Sequence, residues 1–236
     1  MPPVIYAHRG SRGHYPENTI LAFKKAIEEK VKGIELDVHL TKDSELVIIH
    51  DETLERTTNG LGYVKDKTLQ ELKALDAGCK EKIPTLLEVL ELLNGSDVEL
   101  NIELKTDGFI YSGIEEKVLS VTRDFEDKIK IIYSSFHLPT LYRLRALAPS
   151  ANIAMLLPYP IPHPEDFLET FKFDALHVYL KTYLEYKEHF KNLNNKIRLW
   201  SMDEKEEDKK QWLELEVLAI MTDYPKAVSE LYSASS

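Results

Sequence analysis

Three short apolar runs near the start of the chain end in, or carry, side chains suited to acid-base and metal chemistry. The first ends in His8-Arg9-Gly10, the second is Gly33-Ile-Glu35-Leu-Asp37-Val-His39, and the third is Leu46-Val-Ile-Ile-His50-Asp51. Packing a strand needs neither histidines nor carboxylates; a site does. From Ile34 to Leu40 the apolar residues Ile34, Leu36, Val38 and Leu40 alternate with Glu35, Asp37 and His39, giving one oily face and one ionisable face. The pattern recurs over Val98–Lys105, where Asn101, Glu103 and Lys105 oppose Leu100, Ile102 and Leu104.

Glu35 and Asp37 stand two apart on one strand, about 6 to 7 Å along the backbone. Together with Glu103 they form three inward carboxylates that repel one another and lose hydration, so they require cations. A hard divalent ion with oxygen ligands meets that need, Mg²⁺ or Ca²⁺ rather than zinc. Ordinary ion pairing with Arg9 and Lys105 is the simpler alternative. His8 and His50 end different strands beside these carboxylates. Two histidines flanking a bound group can serve as general base and general acid, because the unperturbed imidazole titrates near neutrality. Arg9 and Lys105 bring to the same rim the positive charge that phosphate recognition needs.

These side chains meet only if several strands converge. Val4–Ala7 reads as a strand stopped by Gly10, followed by a helix capped by Asn18 or Thr19 and running to Lys30. Ile34–Leu40 and Leu46–His50 are strands joined by the turn Thr41–Ser44. The pattern loosens over 51–82, with Asn59-Gly60 and Gly62 as turn signals and one short helix at Leu69–Leu75, as an insertion would. Pro84–Leu93 is expected to be a helix opened by its proline, followed by the strand Val98–Lys105.

The second half repeats strand and helix with little ornament, including expected helices at Tyr183–Leu193 and Lys205–Leu213. Strands followed by helices fall near Ile5, Leu36, Ile102, Ile131, Ala154, Leu176, Leu199 and Leu218. Eight such units in one domain of this length predict an α/β fold of the closed (β/α)8, or TIM barrel, type rather than an open doubly wound sheet. The polar residues gather at the C-terminal ends of several strands, and no glycine-rich nucleotide fingerprint follows the first.

The chain has 236 residues, 43% hydrophobic and 30% charged, with a formal net charge of −10. That acidity, with no dense Lys/Arg run, argues against nucleic acid as a partner. The apolar runs fall well short of the roughly 20 residues that a membrane helix needs, so no stable membrane association is expected. With no secretory signal pattern and the single cysteine Cys79, the expected compartment is the cytoplasm. A homodimer is neither required nor excluded.

With these residues in view, the chain resembles the glycerophosphodiester phosphodiesterase family. The resemblance is carried by AHRG at 7–10, PENT at 16–19, ELDV at 35–38, TKD at 41–43, IHD at 49–51, RTTNG at 56–60, IPTLLEVL at 83–90, IELK at 102–105 and TDYP at 222–225. It implies a phosphodiesterase barrel with a small insertion at 51–82, after the second catalytic histidine. It also implies a divalent metal held by Glu35, Asp37 and Glu103, acid-base roles for His8 and His50, and Arg9 and Lys105 near the phosphate.

The implied substrates are small glycerophosphodiesters such as glycerophosphocholine and glycerophosphoethanolamine, cut to glycerol 3-phosphate and an alcohol by way of attack from the glycerol 2-hydroxyl. Two departures stand out. Ser44 replaces a glycine often found after TKD, and Leu199-Trp200-Ser201-Met202-Asp203 replaces a WTVN-like stretch, with Trp200 as an expected pocket wall. Lysophospholipase D or sphingomyelinase D-like chemistry on the same scaffold is one alternative, and an inactive barrel that binds a phosphorylated ligand is another. The inactive barrel would lack a catalytic residue, and none is missing.

Overall fold

The computed structural model describes residues 2–202 and 212–234. Nine strands form one sheet: β1 (Val4–His8), β2 (Gly33–Leu40), β3 (Leu46–Ile48), β4 (Glu99–Leu104), β5 (Ile131–Ser135), β6 (Asn152–Leu157), β7 (Ala175–Tyr179), β8 (Ile197–Met202) and β9 (Ala219–Thr222). All except β3 are parallel, and β1 pairs with both β2 and β9, which closes an eight-stranded barrel. β3 pairs antiparallel with β2 through a hairpin in which Ser44 takes φ +64. That left-handed backbone explains why a glycine suits this turn.

Each barrel strand has two kinds of neighbour. Ile5 and Ala7 of β1 join the large cluster between strands and helices, whereas Tyr6 belongs to a small interior cluster with Ile132, Ala154, Ala175, Ala219 and Met221. Three alanines leave room for the tyrosine ring. Gly33 does the same from beside it, since a Cβ there would lie 2.4 Å from the Tyr6 ring. Polar residues take over nearer the C-terminal ends of the strands.

Local chemistry sets the helix starts. Thr19 caps α1 (Ile20–Glu28) by accepting from the Ala22 N–H. Thr85 and Glu88 make a reciprocal capping box for the helix Leu86–Leu93. Pro84 therefore does not open that helix; it precedes the cap, and its carbonyl accepts from the Ile48 N–H at 2.8 Å. The segment expected to be one helix over Tyr183–Leu193 is broken into Leu180–Glu185 and Lys187–Phe190, followed by a 3-10 turn at Lys191–Lys196. Asn192, Asn194 and Asn195 favour such tight turns because their amides compete for backbone hydrogen bonds. The helix expected at Lys205–Leu213 lies almost wholly outside the described residues, as does Asp203.

Residues 51–82 carry a 3-10 turn at Val64–Asp66 and the short helix Leu69–Ala74. Leu54, Val64, Leu72 and Ala77 pack with Val47, Ile49 and Ile83 in a cluster separate from the main core. This segment lies over β3, next to His50. Among the described residues, no helix is long and apolar enough to cross a membrane.

Candidate active site

Strand register brings the sequence-predicted residues together. His8 stands beside Glu35 in the β1–β2 ladder, and Asp37 beside Glu103 in the β2–β4 ladder. Adjacent strands lie about 4.8 Å apart, so side chains on the same face must meet. Glu35, Asp37 and Glu103 are buried, and each offers an oxygen within 4.8 Å of the other two.

Arg9 occupies the left-handed region at φ +56, and Gly10 follows at φ +80. A Cβ at Gly10 would come within 2.7 Å of Ala22, so the chain turns tightly against α1. This turn aims the Arg9 backbone N–H at Glu35 Oε2, 2.9 Å away, and holds its guanidinium Nε 3.3 Å from Asp37 Oδ2. Lys105 donates to Glu103 Oε1 at 2.9 Å and reaches His50 Nε2 at 3.4 Å.

Both histidines are backed by carboxylates. His8 Nδ1 donates to Asp223 Oδ1 at 2.7 Å, leaving Nε2 4.0 Å from Glu35. His50 Nδ1 donates to Asp51 Oδ1 at 2.6 Å. Because a carboxylate accepts, each bond makes Nδ1 the donor, which turns His8 Nε2 toward Glu35 and His50 Nε2 toward Lys105. Arginines stand behind the carboxylates: Arg12 lies 3.0 Å from Asp223, and Arg56 grips Asp51. Both arginines, and Arg9, also converge on Glu17.

The cleft encloses about 200 Å³. Its lining combines the polar His8, Glu35, His50 and Glu103 with the apolar Trp200, Phe136 and Leu156. The Trp200 indole N–H donates to the His177 carbonyl at 3.0 Å, and its ring meets Phe136 edge-on at 5.6 Å.

The electrostatics fit a cation site. Burial, then the neighbouring Asp37 and Glu103, raises the Glu35 carboxyl well above the usual carboxylate range. Burial also raises Glu103, against the pull of Lys105. Asp37 is held low despite burial by Arg9, His50 and Lys105, so it is ionised. Its Oδ1 is buried with no hydrogen-bond partner, as is Asn101 Oδ1 at the same cleft. An unsatisfied buried carboxylate oxygen beside two crowded carboxyls is the donor set that a hard divalent ion accepts.

Residues 8–227 match the Glycerophosphoryl diester phosphodiesterase family. The chain belongs to this family. A glycerophosphodiester phosphodiesterase of Caldanaerobacter subterraneus is 41% identical over 239 residues, covering 98% of each chain. One from Bacillus altitudinis is also 41% identical, covering 94% of each. A phosphodiesterase from Oleispira antarctica, solved in complex with the product sn-glycerol-3-phosphate, has a TM-score of 0.84 at 28% identity and covers 98% of this chain and 97% of its own.

Several residues that build this phosphodiesterase site were not singled out from the sequence. Asp223 lies within the TDYP motif, Asp51 within IHD, Glu17 and Asn18 within PENT, and Arg56 within RTTNG. Asn18 donates to Asp37 Oδ2 at 2.8 Å. The available signal was a polar residue within each motif; apart from Asp51, which adjoins His50, what each one touches depends on other parts of the chain. His39 faces inward as its alternation requires. It is buried between the Tyr111 hydroxyl, at 2.9 Å, and the His50 carbonyl, at 3.0 Å, and so supports the backbone that carries His50.

Proposed function

We propose that this phosphodiesterase hydrolyses small glycerophosphodiesters, such as glycerophosphocholine and glycerophosphoethanolamine, to glycerol 3-phosphate and an alcohol. His8 and His50 are its acid-base pair, and Glu35, Asp37 and Glu103 hold one divalent ion, Mg²⁺ or Ca²⁺. The observation that carries this reading is the pair of carboxylate-backed imidazoles beside the three-carboxylate cluster at one cleft. The bound glycerol 3-phosphate of the Oleispira relative supports the choice of substrate. When present, the cation supplies Lewis acidity and charge neutralisation at the phosphoryl group.

The remaining steps belong to side chains. Burial lowers the His8 pKa, partly offset by Asp223, so His8 is neutral and its bare Nε2 takes the proton of the glycerol 2-hydroxyl. The 2-oxygen attacks phosphorus, the bond to the alcohol breaks, and His50 gives the departing oxygen a proton. Asp51 backs His50 through Nδ1: hydrogen bonding from Arg56, and then from His50, keeps the Asp51 carboxyl ionised. Water then opens the cyclic phosphate with the roles of the histidines reversed. Arg9 and Lys105 face the phosphate with positive charge, and Trp200 walls the cleft.

The direct test is incubation with glycerophosphocholine and Mg²⁺ or Ca²⁺, with and without chelator, reading glycerol 3-phosphate through a coupled dehydrogenase. Cation-dependent product is expected. No product from any of several glycerophosphodiesters would sink the reading. A diester whose 2-hydroxyl is removed should resist cleavage; turnover at the normal rate would eliminate the cyclic route.

Cation binding should also depend on pH. The raised Glu35 pKa means that its contribution to the stability of the metal-free protein is full below the ordinary carboxylate range and is lost as pH rises through the folded-state value. A divalent ion competes with that proton and relieves the repulsion that follows its loss. The increase in Tm on adding Mg²⁺ or Ca²⁺ should therefore be small near pH 5 and larger near pH 8. Equal increases at both values would remove Glu35 from the cation site.

A further inference from the structure

Arg56 makes more of its surroundings than an exposed arginine ordinarily does. Its side chain is 47% exposed, a setting in which a single ion pair contributes little. Yet its guanidinium makes two forks. Nε donates to Asp51 Oδ2 at 2.6 Å and Nη2 to Asp51 Oδ1 at 2.9 Å, while Nη1 and Nη2 donate to Glu17 Oε2 and Oε1 at 2.9 and 2.8 Å.

The atoms it grips are already in use. Asp51 Oδ1 also receives His50 Nδ1, and Glu17 Oε1 also receives Arg9 Nη1 at 2.9 Å. One guanidinium thus fixes both carboxylates that orient His50 and Arg9. Asp51 follows β3 and Glu17 follows β1, and the arginine that joins them comes from the segment 51–82.

We propose that Arg56 is a positioning residue of the reaction, through which the segment after His50 locks Asp51 and Glu17 and thereby aims His50 and Arg9 into the cleft. This rests on the role given to His50 above. Planarity matters here: a guanidinium can bond two carboxylates in forked geometry, whereas a lysine ammonium is a point charge that cannot. Arg56 makes no direct bond to Glu35, Asp37 or Glu103; it reaches them only through Glu17 and Arg9, whose Nε lies 3.3 Å from Asp37.

In this protein, Arg56→Ala should lower kcat by about 10- to 100-fold, the range seen when a group that supports a functional side chain from behind is removed, with a smaller rise in KM through Arg9. Arg56→Lys should fall between Arg56→Ala and wild type. Guanidinium chloride at tens of millimolar should restore part of the Arg56→Ala rate but none of the His50→Ala rate. In the resting enzyme, the downfield proton NMR signal of His50 Nδ1–H, assigned by its loss in His50→Ala, should move or broaden in Arg56→Ala.

A purely structural pin predicts a lower Tm with kcat and the imidazole signal unchanged below that Tm. That result overturns the inference, as does a kcat loss that neither guanidinium nor lysine reduces. The two readings fail differently. An inactive wild type counts against the proposed reaction, whereas an active wild type matched by Arg56→Ala counts against the positioning role alone.

Discussion

Replacing His8 or His50 by alanine is expected to lower turnover by about two to four orders of magnitude while leaving cation affinity nearly intact. That range is what a positioned acid or base contributes in the transition state. Neither imidazole is among the three side chains that form the carboxylate cluster, and each is held through its Nδ1 by a carboxylate outside that cluster. The loss should therefore appear in kcat more than in KM. The double variant should be little worse than either single one, because residues acting in one step do not contribute additively. Steady-state kinetics on glycerophosphocholine with saturating Mg²⁺, together with calorimetric titration of the ion, separate the two effects. Turnover within a few-fold of wild type in both variants would remove these histidines from the chemistry.

Replacing Glu35 by glutamine should divide function from stability. Cation-dependent turnover should fall by at least about 100-fold, beyond the 10- to 100-fold typical of groups that only support a metal ligand. The metal-free variant should nevertheless melt higher than the metal-free wild type at pH 8. Glu35 is buried beside two other carboxyls, and the neutral amide removes a charge that burial penalises. The amide oxygen can still accept the Arg9 N–H. About 1 kcal/mol of relief would raise Tm by about 2–4 °C in a chain of this size. Toward lower pH, as the wild-type carboxyl takes up its proton, the difference should shrink. A variant that melts lower at pH 8, or that keeps its cation response, would contradict this account.

The two predictions draw on different kinds of legibility. The ionisable face of β2 can be read from sequence because side chains alternate with a period of two, and the same rule places Glu103 and Lys105 on one face of the fourth strand. The barrel is legible because the sequence repeats a strand pattern and then a helix pattern, and eight such units have few ways to close. Local rules fared less well where a proline or an asparagine-rich stretch decided a boundary. Pro84 lies outside its helix because Thr85 supplies the better cap, and the segment around Tyr186 breaks although its apolar spacing is helical.

The distant partners of these side chains were not legible. Asp223 meets His8 from 215 positions away, and Arg56 meets Glu17 from 39 away. No periodicity relates such positions. They adjoin because β1 pairs with β9 at one seam of the barrel, and because the segment after β3 folds back over the loop after β1.

By itself, the sequence determined the three apolar runs with their polar ends, the alternation that turns Glu35, Asp37 and Glu103 inward, and the repeated strand-helix unit. Each of these follows from forces acting over a few residues: pleat geometry, helix capping and the burial of one face. Only the tertiary structure decided that Asp223 backs His8, that Arg56 joins Arg9 and Arg12 at Glu17, and that Asp37 keeps one buried oxygen without a hydrogen-bond partner. These depend on barrel closure, which fixes strand register around the ring and brings together side chains that no local rule relates.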